Sequence, residues 1–327
     1  MDLEVRIAQW DLATPLRISN SVFPCAKTIV VEIRDGNLRG RGESNGIFYR
    51  GETVDTLVRS VEAVRPALER GISRDALCAL MPAGGARNAI DCALWDLESK
   101  RTSTRAWVLA GLPTVRPLTT AYTIGVGTPE AMAASARVAA TRQLDLLKLK
   151  LAGAGDLERV RAVRAAHPQA RIIVDANQGW SEHHVHEYPA ELARLGVSLI
   201  EQPLPVGQDA VLREVDSPIP FCADESCQAS DSLGGLVGKY QWVNLKLDKT
   251  GGLTEALRMV SIARSLDMRV MVGCMLGTSL AIAPAFVLGQ RCDLADLDAP
   301  LLLANDRAEG IRYDGNQVHS PRPSLWG

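Results

Sequence analysis

Six polar side chains close successive apolar runs of this chain at nearly even intervals, and their types are those of metal-assisted proton transfer. Lys150, Asp175, Glu201, Asp224, Lys246 and Asp296, with Gly273 in the corresponding place before the last, are spaced by 25, 26, 23, 22, 27 and 23 residues. Asp175, Glu201 and Asp224 form an oxygen-only set without His or Cys. Carboxylates buried so close together must share protons or neutralise a cation, and such a set suits Mg²⁺, which leaves positions for water or substrate. Singly, each reads as a helix N-cap or an ion-pair partner; three at successive run ends point to a metal. In LLKLK, Lys148 and Lys150 alternate with Leu147 and Leu149, so both lysines project to one side of a strand. An isolated pair would be surface lysines. Inside a core, mutual repulsion and burial would lower one of them from about 10.4 toward the about 7 to 8 of a general base. Asp296 and Asp298, spaced i, i+2, face one way and suit a cation such as a free amino group, the bland reading being a solvated acidic turn with Asp293.

The runs that carry these groups are LTTAYTI, LDLLKLK, ARIIVDAN, VSLIEQP, IPFCADES, QWVNLKLD, RVMVGCM and LADLDAP. Amphipathic stretches such as residues 156–167 and 254–266 separate them, which predicts parallel strands with crossover helices and, as their closure, a (β/α) barrel. In a barrel the C-terminal strand ends share one mouth. If the second and sixth strands lie across it, Lys150 and Lys246 flank whatever the metal holds. Residues 1 to about 110 read as a separate α+β unit. Runs at 28–33 and 38–42 flank Asp35-Gly36-Asn37, a hairpin signal. Helices are expected over 53–70 and 86–100, the second with Ile90, Leu94 and Leu97 on its core face. Pro113 and Pro117 mark a linker, and GIRYDGNQVHSP at 310–321 carries a second hairpin signal, read as returning to pack on the first unit.

The composition narrows the partners. With 327 residues, 46% hydrophobic and 23% charged, and Lys+Arg 36 against Asp+Glu 38, the chain has enough apolar content for two domains and no basic field for nucleic acid or an anionic membrane. Seven scattered Cys without a CxxC read as reduced thiols in a cytoplasmic protein, with no structural zinc site. The acidic start MDLEVRIAQWDL is unlike a signal peptide. Residues 270–290 carry no charge, but Gly273, Gly277, Pro284 and Gly289 interrupt them, so they read as a buried strand, loop and helix. Gly153 and Gly155 lack the full GxGxxG spacing and read as a strand–helix connection. His183, His184 and His186 read as a solvated helix start, and Trp180 as core or as a cap on the mouth.

KLK at 148–150, VDAN at 174–177, IEQPLP at 200–205, ADES at 223–226, NLKLDKTGGL at 244–253 and DLD at 296–298 together resemble the enolase superfamily. The likeness is to its muconate-lactonising subgroup and, within it, to dipeptide epimerases of the L-Ala-D/L-Glu type; PAGGARNAIDCALWDL at 82–97 extends it into the first unit. The resemblance implies an α/β fold, a modified TIM barrel (β/α)7β, with an α+β capping domain built from the N-terminal region and the C-terminal tail. The expected divisions are 1–115 for the cap, 116–300 for the barrel and 301–327 for the returning segment. It further implies one Mg²⁺ per subunit on Asp175, Glu201 and Asp224, and Lys150 and Lys246 as the acid/base pair of a 1,1-proton transfer through an enediolate. Lys148 would assist with the substrate carboxylate, Asp296 and Asp298 would hold the ammonium of a dipeptide, and Thr123, Asn20 and Phe23 would make further substrate contacts.

In the Ala-Glu epimerases a mobile capping loop supplies an Arg that reads the glutamate carboxylate. Here that loop is RISNSVFPCAK, residues 17–27, with Asn20 in the place of the Arg, so a neutral or apolar second residue fits as well as glutamate. The expected function is epimerisation of a dipeptide at the α-carbon of its C-terminal residue. Three other readings stay open: another reaction of the superfamily, N-succinylamino acid racemisation or cycloisomerisation; a lysine Schiff-base aldolase; and a non-catalytic scaffold. The expected partner is a small-molecule dipeptide, with no nucleic acid and no membrane, and a homo-oligomer is open.

Overall fold

The computed structural model describes residues 1–327. Its first sheet is antiparallel: β1 (Asp2–Ile18), β2 (Ser21–Asp35) and β3 (Leu38–Ser44). β2 and β3 close on Gly36-Asn37, with Asp35 opposite Leu38 and Gly36 at φ +56°, the left-handed value that a tight hairpin turn requires. The segment expected as a loop at 17–27 is instead regular. β1 runs the length of β2 to a tip at Ser19-Asn20, where Ile18 pairs with Ser21, and one register shift falls between Asp11 and Leu16. Charged residues alternating along 2–18 hide this strand from a search for apolar runs.

The helix Gly85–Thr102 lies across β3, and its close approach depends on Gly40 and Gly42. A Cβ on Gly42 would stand 2.0 Å from the Ala89 carbonyl oxygen, and one on Gly40 2.1 Å from that of Ala93. Gly42→Ala is therefore expected to destabilise the protein by about 3 kcal/mol, the upper end for overpacking, because a helix backbone cannot yield as a side chain does. An unchanged urea midpoint would contradict the close packing. The helix expected over 53–70 breaks into Val54–Ala63 and Arg65–Glu69, with Pro66 at the start of the second piece, and a further short helix, Arg74–Leu80, follows.

The chain then crosses to a barrel. β4 (Leu118–Thr119) lies beneath it, and eight short parallel strands form its wall. These are β5 (Tyr122–Ile124), β6 (Leu146–Lys150), β7 (Arg171–Asp175), β8 (Val197–Glu201), β9 (Phe221–Ala223), β10 (Trp242–Lys246), β11 (Arg269–Gly273) and β12 (Leu294–Ala295). They pair in sequence order, and a parallel bridge between Thr120 and Ala295 joins the last strand to the first, with Ala121 N–H donating to the Ala295 carbonyl at 2.8 Å. Of the seven connections, those after β8 and β9 are 3₁₀ turns rather than α-helices.

The interior is layered by strand alternation. Ala121, Leu146, Ile173, Leu199, Cys222, Trp242 and Met271 form one buried apolar cluster. Two residues further along each strand, side chains return to the same interior. That layer is Thr123, Lys148, Asp175, Glu201, Asp224, Asn244 and Gly273, whose non-glycine members are all buried. The mouth is thus polar because the pattern changes from apolar to ionisable at one level of the barrel.

β13 (Tyr313–Asp314) and β14 (Gln317–Val318) form the second expected hairpin, but it packs under the barrel rather than on the first unit. β14 pairs with β4, and the buried Asn316 side chain bonds the backbone of Thr120, Asp145 and Leu146. Residues on either side of the hairpin do reach the first unit: Leu303 bridges Leu12, Ala304 N–H donates to the Asp11 carbonyl at 2.8 Å, Trp326 Nε1 donates to the Cys92 carbonyl at 3.0 Å and Gly327 N–H to Asp96 at 2.8 Å. The uncharged stretch resolves into β11, a loop and the buried helix Ser279–Gly289, and no helix is long and apolar enough to cross a membrane.

Candidate active site

Asp175 and Glu201 are the last residues of β7 and β8, and Asp224 follows β9 directly. Their carboxylate oxygens lie within 4.8 Å of one another, and all three side chains are buried. Lysines flank the cluster from both sides. Lys150 Nζ lies 2.6 Å from Asp175, whereas Lys246 Nζ lies 2.7 Å from Asp224. Lys148 sits among Asp175 at 3.1 Å, Glu201 at 2.7 Å and Asp296 at 2.8 Å. The lysines reach the carboxylates from β6 and β10, the second and sixth of the eight strands and so opposite in the wall.

The protonation of Lys148 runs against a fall toward neutrality. Burial does work to lower Lys148, but Asp296, Glu201 and Asp175 outweigh it and hold its ammonium well above the ordinary value. Lys246 is likewise raised, burial being overcome chiefly by Asp224. The carboxylates divide. Burial would raise Asp175, yet Lys150 and Lys148 bring it down to about 2, while burial and the charge of Asp175 push Glu201 up to about 7.

A charge count tests whether a metal fits. The mouth buries six carboxylates (Asp175, Glu201, Asp224, Glu225, Asp296 and Asp298) against four ammonium groups (Lys148, Lys150, Lys246 and Lys249). Full ionisation would leave two excess negative charges, and the chain by itself resists this: burial and the neighbouring acids push Glu201 and Asp298 up to about 7 and Glu225 up to about 8, a cost that a divalent cation would relieve. Glu201 Oε2 faces the Lys148 ammonium at 2.7 Å as an ion pair but makes no well-directed hydrogen bond. An oxygen-only set of three buried carboxylates whose ligand atoms lie within 4.8 Å of one another suits Mg²⁺.

Asp298 accepts from the Thr123 backbone N–H at 2.6 Å, and burial together with neighbouring Asp296 pushes its carboxyl up to about 7. Asp296 Oδ1 is buried without a partner. Both acids, Thr123 and Phe23 line the same cavity as the three lysines. Asn20 does not: it is exposed in the hairpin turn and does not border the cavity, because a regular strand pair carries the tip past the mouth.

Four further residues that contact the acidic cluster or its strand ends lay inside the quoted motifs without a role. Asn244 donates to Glu201 Oε1 at 2.8 Å, in space that Gly273 leaves open, since a Cβ there would stand 2.6 Å from the Asn244 side chain. Lys249, fully buried, donates to both the carboxylate and the carbonyl of Asp224, at 2.6 and 2.5 Å. Gln202 rivets neighbouring strand ends, its carbonyl accepting from Asp224 N–H at 2.9 Å and Ser226 N–H at 3.0 Å. Glu225 takes the Asn177 amide at 3.3 Å. The only signal for them was adjacency to the acidic and basic strand ends.

The remaining candidates stay outside the site. Trp180 is core, its indole N–H bonded to Asp156 at 2.8 Å, and Asp156 also accepts Gly153 N–H at 2.7 Å, filling with its own carboxylate the turn where a phosphate would sit. His184 accepts Ser181 N–H at the start of its helix, as part of the helix cap.

Comparison with known proteins follows this geometry. Residues 131–321 match the model of the enolase C-terminal domain-like family, and residues 1–111 that of the mandelate racemase / muconate lactonizing enzyme N-terminal domain. The chain is similar to the L-Ala-D/L-Glu epimerase of Escherichia coli (strain K12), 41% identical over 310 residues covering 95% of this chain and 97% of the relative. It is also similar to the N-acetyl-D-glutamate racemase of a Pseudoalteromonas species, at 39% over 91% and 95% of the two chains. Among solved structures, an enolase family member from Agrobacterium tumefaciens with homology to dipeptide epimerases, holding sodium and L-Ala-L-Glu, superposes with a TM-score of 0.96 at 46% identity over 99% of each chain. Several further solved relatives are dipeptide epimerases complexed with Mg and a dipeptide.

Proposed function

Because the chain belongs to the mandelate racemase / muconate lactonizing enzyme family of enolase-like proteins, we propose that it is a Mg²⁺-dependent dipeptide epimerase that inverts the α-carbon of the C-terminal residue. The observation that carries this is the placement of Lys150 and Lys246 on opposite flanks of one buried acidic cluster, beside a second pair of acids. Asp175, Glu201 and Asp224 would hold Mg²⁺, which when bound supplies positive charge against the second negative charge that develops on the substrate carboxylate.

Lys150 and Lys246 exchange roles with the direction of reaction. One takes the α-proton on its face and the other delivers a proton on the opposite face, which is what inversion requires. Lys148, fully buried and cationic, faces the substrate carboxylate and stabilises the enediolate more than the ground state, because the charge it meets doubles. Lys249 and Asn244 position the acids: by bonding Asp224 and Glu201 they fix the oxygens that the ion needs. Asp296 and Asp298 receive the ammonium group, and its arrival would draw Asp298 down from about 7 into its ionised form. We assign residues 1–115 to the cap, 116–300 to the catalytic barrel and 301–327 to the closing segment. The seven unpaired cysteines support a reducing, cytoplasmic setting.

The resemblance to an N-acetyl-D-glutamate racemase favours a second reading, racemisation of N-acylated amino acids, which carry no ammonium. Incubation in D₂O separates the two. Dipeptides are expected to gain one deuterium at the C-terminal α-carbon as the epimer forms, and Asp298→Asn to lower kcat/KM for them by about 100-fold, the cost of removing a charged partner from a buried site. Faster turnover of N-acetyl amino acids, unaffected by Asp298→Asn, would replace the dipeptide reading. Borohydride trapping of a lysine adduct would point instead to Schiff-base chemistry, for which Lys150 and Lys246 are ill placed, each being ion-paired to a proposed metal ligand.

A further inference from the structure

We infer that the residue inverted by this enzyme carries an uncharged, apolar side chain of the leucine, methionine or phenylalanine type. The inference rests on the epimerase reading above and departs from the glutamate named for the Escherichia coli relative and bound in the Agrobacterium tumefaciens structure. The barrel already supplies partners for the rest of a dipeptide: the acidic cluster and Lys148 for its carboxylate, Lys150 and Lys246 for the two faces of its α-carbon, and Asp296 and Asp298 for its ammonium. The side chain on the inverted carbon must therefore leave toward the remaining wall of the cavity, which the first unit provides together with Met275, Leu276 and Leu302.

That wall is apolar. Leu16, Ile18 and Phe23 enter from the β1–β2 tip, and Phe48 and Tyr49 from the short helical turn after β3. The aromatic rings form an edge-to-face run, with centroids 5.0 Å apart at 73° for Phe23 and Phe48 and 5.3 Å apart at 85° for Phe48 and Tyr49. Such a surface gains by covering hydrocarbon.

No cation is available there for a carboxylate. No arginine lines the cavity, and its three lysines are already ion-paired. Alternation along β1 turns Leu16 and Ile18 inward and Arg17 outward, where it borders a separate groove with Arg159. Arg50 donates to Gln228 and is exposed, as is Lys27. Asn45 donates one amide N–H to the Lys27 carbonyl, and the Tyr49 hydroxyl accepts from Gln228, leaving two neutral donors on this wall, the second Asn45 N–H and the Tyr49 O–H. A glutamate carboxylate would lose its hydration against those two neutral donors and no cation, with Asp224 and Glu225 as further acids in the same cavity.

The test uses the Mg²⁺-loaded protein and the dipeptides L-Ala-L-Leu, L-Ala-L-Met, L-Ala-L-Phe, L-Ala-L-Gln and L-Ala-L-Glu in D₂O. The apolar three are expected to exceed glutamate in kcat/KM by about 100-fold, with glutamine, of the same length but uncharged, in between. Phe23→Arg is expected to narrow the gap between leucine and glutamate at least about 10-fold by placing a cation on the wall. Glutamate turned over as well as leucine by the native protein, or a ratio unmoved by Phe23→Arg, would overturn the inference while leaving the reaction intact. Deuterium in none of the dipeptides would remove the epimerase reading itself, and the inference with it.

Discussion

Lys150→Ala and Lys246→Ala are each expected to slow epimerisation by roughly 10²–10⁴-fold, the range for loss of a positioned general acid or base, and to fail in opposite ways. Each remaining lysine can still remove and return a proton on its own face. One variant should exchange the α-hydrogen of the L,L epimer in D₂O and the other only that of the L,D epimer. The acidic cluster should survive both changes, because Asp175 keeps Lys148 and Asp224 keeps Lys249. NMR of each epimer in D₂O reads this directly. Exchange of the same epimer by both variants would mean that the two ammonium groups share a face, and inversion would need another acid.

Removal of the metal is expected to have the second-largest effect. Dialysis against EDTA should lower kcat by on the order of 10³-fold, corresponding to several kcal/mol of transition-state charge stabilisation, and Mg²⁺ should restore it. A second readout does not depend on turnover. Because the ion would bind the folded acidic cluster and not the unfolded chain, the loaded protein should be more stable by about 2.7 kcal/mol at a Mg²⁺ concentration 100 times Kd. Equal denaturant midpoints with and without Mg²⁺ would argue that the acids are satisfied by the lysines alone. Glu201→Gln should weaken Mg²⁺ binding while leaving Lys150 and Lys246 paired as before, since neither touches Glu201.

Much of the barrel could be read from local pattern. The strand-end residues recur every 22 to 27 residues, and the period-2 alternation of LLKLK places Lys148 and Lys150 on one side whatever else the chain does. The hairpin at Gly36-Asn37 was legible for the same reason, because a turn that needs positive φ selects its residues locally. β1 was not, since charged side chains facing solvent along its length erase the apolar signal, nor was the break at Pro66, where a helical pattern runs through a residue that cannot continue the hydrogen bonds.

What the sequence determined alone, then, is which chemical groups stand at one level of one mouth: strand period and repeat length are short-range properties. What the tertiary structure decided is how those groups share charge and what surrounds them. Repulsion between Lys148 and Lys150 argued for lowered basicity, but carboxylates from β7, β8 and the segment after β12 reverse the sign for Lys148, and the Coulomb sum runs over residues distant in sequence. Gly273 makes room for Asn244, the C-terminal hairpin closes the floor while the residues flanking it, Leu303 and Trp326 among them, reach the first unit, and the β1–β2 tip turns Phe23 inward and leaves Asn20 in solvent. Each of these is a contact between segments that only the folded chain brings together.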